Sequence, residues 1–119
     1  MRRGELYWAR LFPRSGAEQS GRRPAILVSN DGFNQVPLWR SVIVVPVTTS
    51  SRQGRRGPSI VPLASAESGL PEESFAICHQ ITTLDRSKLE ERIGVLSLEA
   101  LRRVEKGIAA ACDLDPSRE

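Results

Sequence analysis

Histidine occurs once in the chain, at His79, and cysteine only twice, at Cys78 and Cys112. Four tetrahedral zinc ligands cannot be assembled from so few, and without a Cys-x-x-Cys spacing the pair predicts two reduced, partly buried thiols. A single histidine also removes two-histidine acid–base schemes; on a predicted strand, His79 reads as a structural residue. The longest apolar run, residues 42–47, spans six residues and contains Pro46, far short of the ~18–20 needed to cross a bilayer, so no membrane association is expected. The chain opens Met-Arg-Arg-Gly-Glu with no apolar stretch behind it, which is not the layout of a secretory signal, so a cytoplasmic protein is expected. There is no nucleophile elbow and no glycine-rich phosphate loop. The acid pairs Glu72-Glu73 and Glu90-Glu91 are adjacent and would splay apart on a strand, so they read as solvated surface.

What is present is arginine. Of 17 basic residues 15 are Arg, whose planar fork matches phosphate oxygens two at a time. Residues 1–56 hold ten Arg against three acids, a net of +7, and residues 57–119 hold seven basic residues against eleven acids, a net of −4. Eight of the first ten Arg fall in or beside loops and the chain start that are expected to rim one groove. A length of 119 residues with 39% hydrophobic and 26% charged side chains predicts one globular domain over 1–119.

Most of the chain reads as short strands. Residues 4–12 form a first strand, stopped by Pro13 and a Gly- and Ser-rich loop; Pro24 suits the entry of a second, residues 25–28. Ser29-Asn30-Asp31-Gly32 is a turn cluster, and the β-branched run over residues 41–48 predicts a central strand covered on both faces. A polar basic loop follows over 49–58, then a short strand at 59–63, a loop or single helical turn at 64–69, apolar alternation over 73–83, a turn at Asp85-Arg86-Ser87 and a last strand at 89–96. Ser97 can cap a C-terminal helix with an apolar stripe at Leu98, Leu101, Val104, Ile108 and Ala111; Gly107 weakens it by about 1 kcal/mol relative to Ala. The expected architecture is mainly β: a small, strongly bent antiparallel sheet or half-open barrel with a terminal helix.

Two segments carry unusual chemistry. Glu18-Gln19-Ser20-Gly21-Arg22-Arg23-Pro24 places an acid and two Arg on a loop entering a strand, and Pro46-Val47-Thr48-Thr49-Ser50 puts hydroxyls where the central strand meets a basic loop. If the two strand ends are neighbours, a guanidinium and a hydroxyl converge on one spot, with Glu18 able to orient the Arg. Such a spot suits a phosphodiester.

Arg3-Gly4-Glu5-Leu6-Tyr7-Trp8, Glu18-Gln19 with Gly21-Arg22-Arg23-Pro24, Val28-Ser29-Asn30-Asp31 with Phe33-Asn34, Val45-Pro46-Val47-Thr48, Gln80-Ile81 with Leu84-Asp85, and Ile93-Gly94 together resemble the PemK/MazF toxins of bacterial toxin–antitoxin pairs. The resemblance covers nearly the whole chain in the family's order. It implies a Src-homology-3-like barrel of the CcdB/PemK/MazF type, a homodimer, a cognate MazE-like antitoxin, and an endoribonuclease cutting single-stranded RNA without metal or cofactor. By that resemblance Arg23 and Thr48 are the matched catalytic positions, and Glu18 matches an acid held on the loop over the site. Arg22 fills a position that varies in the family and receives no role.

RNA brings its own nucleophile, the 2′-OH, so such a site has to align that oxygen with phosphorus and stabilise charge on the phosphorane. Arg23 is assigned to charge stabilisation and Thr48 to one further hydrogen bond. A guanidinium with pKa above ~12 is a poor base, and the base is left unassigned. The expected products are a 2′,3′-cyclic phosphate and a 5′-hydroxyl. Arg52, Arg55 and Arg56 are placed to track the RNA backbone, with Gln19, Asn34 and Phe33 as further RNA contacts; either Phe33 or Trp39 could stack an unpaired base. Two alternatives stand beside this reading: a non-enzymatic CcdB-like toxin acting on a protein target such as gyrase, and an RNA-binding protein without turnover. The cleavage sequence and the class of RNA carry no readable code.

Overall fold

A computed structural model describes residues 1–11, 16, 21–49 and 57–114. Seven strands and three helices follow one another as β1 (Glu5–Arg10), β2 (Arg22–Leu27), α1 (Asp31–Asn34), β3 (Ser41–Thr48), β4 (Ile60–Leu63), α2 (Ser65–Ser68), β5 (Ser74–Ile77), β6 (Thr82–Asp85), β7 (Leu89–Val95) and α3 (Leu98–Ala111). The sheet is antiparallel throughout, in the order β4-β5-β3-β2-β1-β7, and the path does not close among the described residues.

The bend is built into β3. Its first half pairs with β6 (Val42 opposite Leu84, Val44 opposite Thr82) and its last two residues pair with β5 (Val47 opposite Ala76, Thr48 opposite Phe75), while β2 runs along the other edge. Pro46, which has no N–H to give, falls in the gap between those two pairings. The apolar alternation read as one strand over 73–83 is therefore two strands. A 3-10 turn, Cys78–Gln80, carries the chain from one half of β3 to the other. The turn cluster at residues 29–32 likewise becomes the start of α1, with the Asn30 carboxamide accepting from the Gly32 N–H at 2.7 Å.

From Val44 onward β3 is buried on both faces, because the alternating side chains of its Val-rich run feed two cores, whereas Ile43 near its start stays 38% exposed. Leu6, Ile26, Val45 and Val47 pack with Val61, Leu63, Ala76 and the buried side of α3; Tyr7, Ala25, Leu27, Val42 and Val44 pack with Leu84 and Leu89 on the opposite face. Register shifts in the β1–β7 pairing, at Leu6/Tyr7 and Tyr7/Ala9, add curvature at the far edge.

α3 begins where Ser97 accepts from the Ala100 N–H at 3.1 Å. It buries Ala100, Leu101, Val104 and Gly107, whereas Leu98, expected on the apolar stripe, is largely exposed in the first turn. Gly107 has a role that composition hides. A Cβ there would stand 2.7 Å from both Cys78 Sγ and Val61 Cγ2, so the missing side chain is what lets α3 lie against β4 and the Cys78–Gln80 turn. Burial also pushes the Cys78 thiol up to about 12, leaving an inert packing group, while Cys112 is exposed rather than partly buried.

Candidate active site

β2 and β3 pair with Ala25 opposite Pro46. Two residues further out on each strand stand Arg23 and Thr48, and both line one cleft of about 310 Å³. The convergence expected of the two unusual segments is thus met by ordinary antiparallel register. Thr48 is buried, at 5% exposure, whereas the Arg22 and Arg23 side chains reach the surface. Val47 and Thr49 extend the floor along β3.

The remaining walls come from residues given no functional role above. Trp8 on β1 lies opposite Pro24 in the β1–β2 register, which carries its ring to the cleft. The Arg22 guanidinium sits 4.5 Å from the centre of that ring, and its Nε donates to Glu90 Oε1 at 2.9 Å. Glu90 takes Arg10 on its second oxygen at 3.1 Å, so it ties β7 to β1 and β2 rather than merely facing water. Leu70, Pro71 and Glu72, from the connection between α2 and β5, form the other side. Gly69, at φ +83° as the cap of α2, has room only for a hydrogen: a Cβ would meet the Ile93 carbonyl oxygen at 3.1 Å, so this residue type holds the connection against β7. Trp8 could be placed from sequence by running the β1–β2 register back from the loop. Nothing in the sequence signals Glu72, which reaches the cleft only because β5 returns along β3.

The other expected site residues divide into three groups. Glu18, Gln19, Arg52, Arg55 and Arg56 lie outside the described residues. Asn34 is 1% exposed; its Nδ2 donates to the Ser29 carbonyl at 2.7 Å and to Asp31 Oδ1 at 3.0 Å, and its Oδ1 accepts from the Ser29 hydroxyl. This amide is committed to closing the β2–β3 connection and cannot reach RNA. Phe33 is exposed at 42% and stacks on Trp39, itself 47% exposed, with ring centres 4.6 Å apart. That pair sits at the α1 end of β2 and β3, opposite the cleft. His79 is exposed on the Cys78–Gln80 turn, not on a strand.

The electrostatics are less lopsided than the two halves of the sequence. Arg3 pairs with Glu105 at 2.7 Å, Arg10 and Arg22 with Glu90, and Arg40 with Asp85 at 3.1 Å, while Arg92 pairs with Glu5 at 2.7 Å. Four of the ten first-half Arg thus pair with second-half acids, and of the first-half Arg among the described residues only Arg22 and Arg23 line the cleft. Burial pushes the Glu5 carboxyl up, but the Arg2 N–H, the Tyr7 hydroxyl and Arg92 outweigh it and hold Glu5 below its usual range. Burial, and then the hydrogen bond to Glu5, raises the Tyr7 hydroxyl to about 12. Among the described residues no three of His, Cys, Asp and Glu cluster closely enough to hold a metal ion. No helix is long and apolar enough to cross a membrane.

Over 118 residues the chain is 30% identical to the Endoribonuclease MazF of Staphylococcus saprophyticus, covering 99% of this chain and 96% of that protein. The structure superposes on the Mycobacterium tuberculosis toxin MazF-mt6 with a TM-score of 0.76 at 24% identity, over 93% of this chain and 98% of that one, a likeness of fold. A MazE-MazF crystal structure (Form-II) from Deinococcus radiodurans matches with a TM-score of 0.70 at 25% identity, over 94% of this chain and 95% of that one. The pattern of the PemK-like, MazF-like toxin of type II toxin–antitoxin systems runs through residues 2–112, spanning every strand of the sheet and both sides of the cleft, and the chain belongs to that family.

Proposed function

We propose that this toxin is a metal-independent endoribonuclease that cleaves single-stranded RNA through attack of the 2′-OH on the adjacent phosphorus. The observation that carries the reading is the meeting of Arg23 and Thr48 in one cleft. The Arg23 guanidinium donates charge-assisted hydrogen bonds to the non-bridging oxygens, where negative charge grows as the phosphorane forms. The Thr48 hydroxyl, held on a buried strand end, adds a donor of fixed position. As the new O–P bond forms the 2′-OH gives up its proton, to a base left unassigned, while the P–O5′ bond breaks and the leaving oxygen takes a proton, giving a 2′,3′-cyclic phosphate and a 5′-hydroxyl. The nucleophile comes with the substrate, so the protein's work is alignment and charge stabilisation.

Glu18 is proposed to orient Arg23 from the loop before β2, and Gln19, Arg52, Arg55 and Arg56 to contact the strand on either side; Phe33, stacked on Trp39, offers its outer face to an unpaired base. The protein is further proposed to act in the cytoplasm, as a homodimer, and to be neutralised by a MazE-like antitoxin. A CcdB-like action on a protein target is not favoured by the relatives, of which the Staphylococcus saprophyticus protein carries the name endoribonuclease.

Purified protein incubated with a long RNA in EDTA tests the reading. Discrete fragments with cyclic-phosphate and 5′-hydroxyl ends are expected, and intact RNA at every protein concentration would sink it. Cleavage that Arg23→Ala leaves untouched would sink the site assignment.

A further inference from the structure

The cleft has two sides of different chemistry, set by the strand order. β2 lies along one edge of β3 and β5 along the other. Arg22, Arg23 and Trp8 therefore stand on one side of Thr48, and Glu72, three residues before the Phe75 that pairs with Thr48, stands on the other. Neighbouring strands are ~4.8 Å apart, so the two sides are separated by about 10 Å, the scale of a single nucleotide laid across β3.

A phosphate belongs on the Arg23–Thr48 side. The opposite side then faces the sugar or the base, and its polar group is an acid. Among the described residues that line the cleft, Glu72 is the only carboxylate, and it is exposed. An ionised carboxylate accepts hydrogen bonds and donates none. It repels a phosphate track, yet it is well matched to the N–H edge of a base.

Resting on the nuclease reading above, we propose that Glu72 is a specificity-determining residue that selects guanine at the nucleotide beside the scissile phosphate. Guanine alone among the four bases presents two adjacent donors, N1–H and the N2 amino group, in the spacing of the two carboxylate oxygens. Adenine and cytosine present one amino group next to a bare ring nitrogen, which would face the second oxygen. Uracil presents one N–H between two carbonyls. A site built to satisfy both donors discriminates strongly against bases that leave an acceptor facing an acceptor.

The test compares wild type, Glu72→Gln and Glu73→Gln on short single-stranded RNAs that vary the nucleotides flanking a mapped cleavage site, including one in which inosine replaces guanine. Inosine keeps N1–H and lacks the N2 amino group. The proposal expects cleavage beside guanine, a loss of about ten-fold in kcat/KM on the inosine substrate for wild type, and little difference between the two substrates for Glu72→Gln. Glu73→Gln, which changes the neighbouring acid outside the cleft lining, should keep the wild-type preference, and matching thermal melts should show that both variants fold. Wild-type cleavage without guanine beside the cut overturns the proposal while leaving the nuclease reading intact. An equal loss on all substrates in Glu72→Gln also overturns it, marking Glu72 as a group acting on the chemical step. No cleavage by wild type overturns both.

Discussion

The two ends of the β2–β3 pair set arginine in different surroundings. At the α1 end, Arg86 is consumed by the fold: its Nε donates to the Trp39 carbonyl at 3.0 Å, and its Nη2 to the carbonyls of Val36 at 3.1 Å and Phe33 at 3.2 Å. One guanidinium thus gathers three backbone acceptors from a stretch without strand partners and holds the Phe33–Trp39 stack in shape. At the other end, Arg22 is held over Trp8 and against Glu90, and Arg23 beside it lines the cleft with Thr48. The same side chain serves as a clasp where the backbone supplies carbonyls, and as a candidate phosphate ligand where the strands end in a concave floor.

The contrast is most sharply tested at Arg23. Arg23→Ala should lower kcat by about 10²–10³-fold, the usual effect of removing one preorganised charge-stabilising donor, with the melting temperature near that of wild type. Assays of RNA cleavage alongside thermal unfolding separate the two effects; a large loss of stability would place Arg23 with the clasp-type arginines. Gly107→Ala should act on the fold alone. The new Cβ would be forced against Cys78 and Val61, at a cost of about 1–3 kcal/mol that exceeds the ~1 kcal/mol gain in helix propensity. A urea midpoint above wild type would show that α3 can shift to make room.

Arg86→Ala should free three carbonyls and destabilise the protein by about 1–2 kcal/mol, read from denaturant unfolding. If the aromatic stack receives a base, the same variant raises KM about five-fold and keeps kcat; a fall in kcat with KM unchanged would break the division of labour between the two ends. The smallest effect concerns Asp85, beside Arg86. Hydrogen bonds from the Ser87 hydroxyl and N–H, and from Arg40, lower its carboxyl to about 2 from an ordinary 3.8. The stabilisation is therefore present above about pH 3.8 and is lost as pH falls towards 2. Asp85→Asn should flatten the acid limb of a stability–pH curve between those values, and an unchanged limb would assign the acid loss to other carboxyls such as Glu5 and Asp31, both also held low.

Local patterns were readable where one strand or one helix answers to its own residues. The Val/Ile run of β3, the Ser97 cap and the single turn of α2 were legible because period, capping chemistry and chain punctuation act within a few positions. The division of residues 73–83 was not, since it depends on β3 bending between two partners. The packing role of Gly107 stayed hidden for a related reason: helix propensity is a property of the residue, whereas the need for a bare Cα arises from Cys78 and Val61 pressing against it. In the candidate site, Arg23 and Thr48 could be paired from their motifs. Asn34 belonged to an equally suggestive motif and is buried in its own turn.

By itself the amino-acid order determined that the molecule is a small bent sheet with one docking helix, and that its basic charge is arginine. It also determined that a Thr closes the β-branched run as the end of its strand, although the second strand begins at Arg22, two residues before the proline, and not after it. These follow from local sterics and from how side chains alternate along a strand. Only the tertiary structure decided what each charge does. Arg3, Arg10, Arg22 and Arg40 meet Glu105, Glu90 and Asp85 across distances in the chain that no local rule spans, and Glu72 joins Arg23 and Thr48 because β5 returns along β3. A charge acts over a few ångströms of space, and which residues share those ångströms is settled by the packing of the sheet.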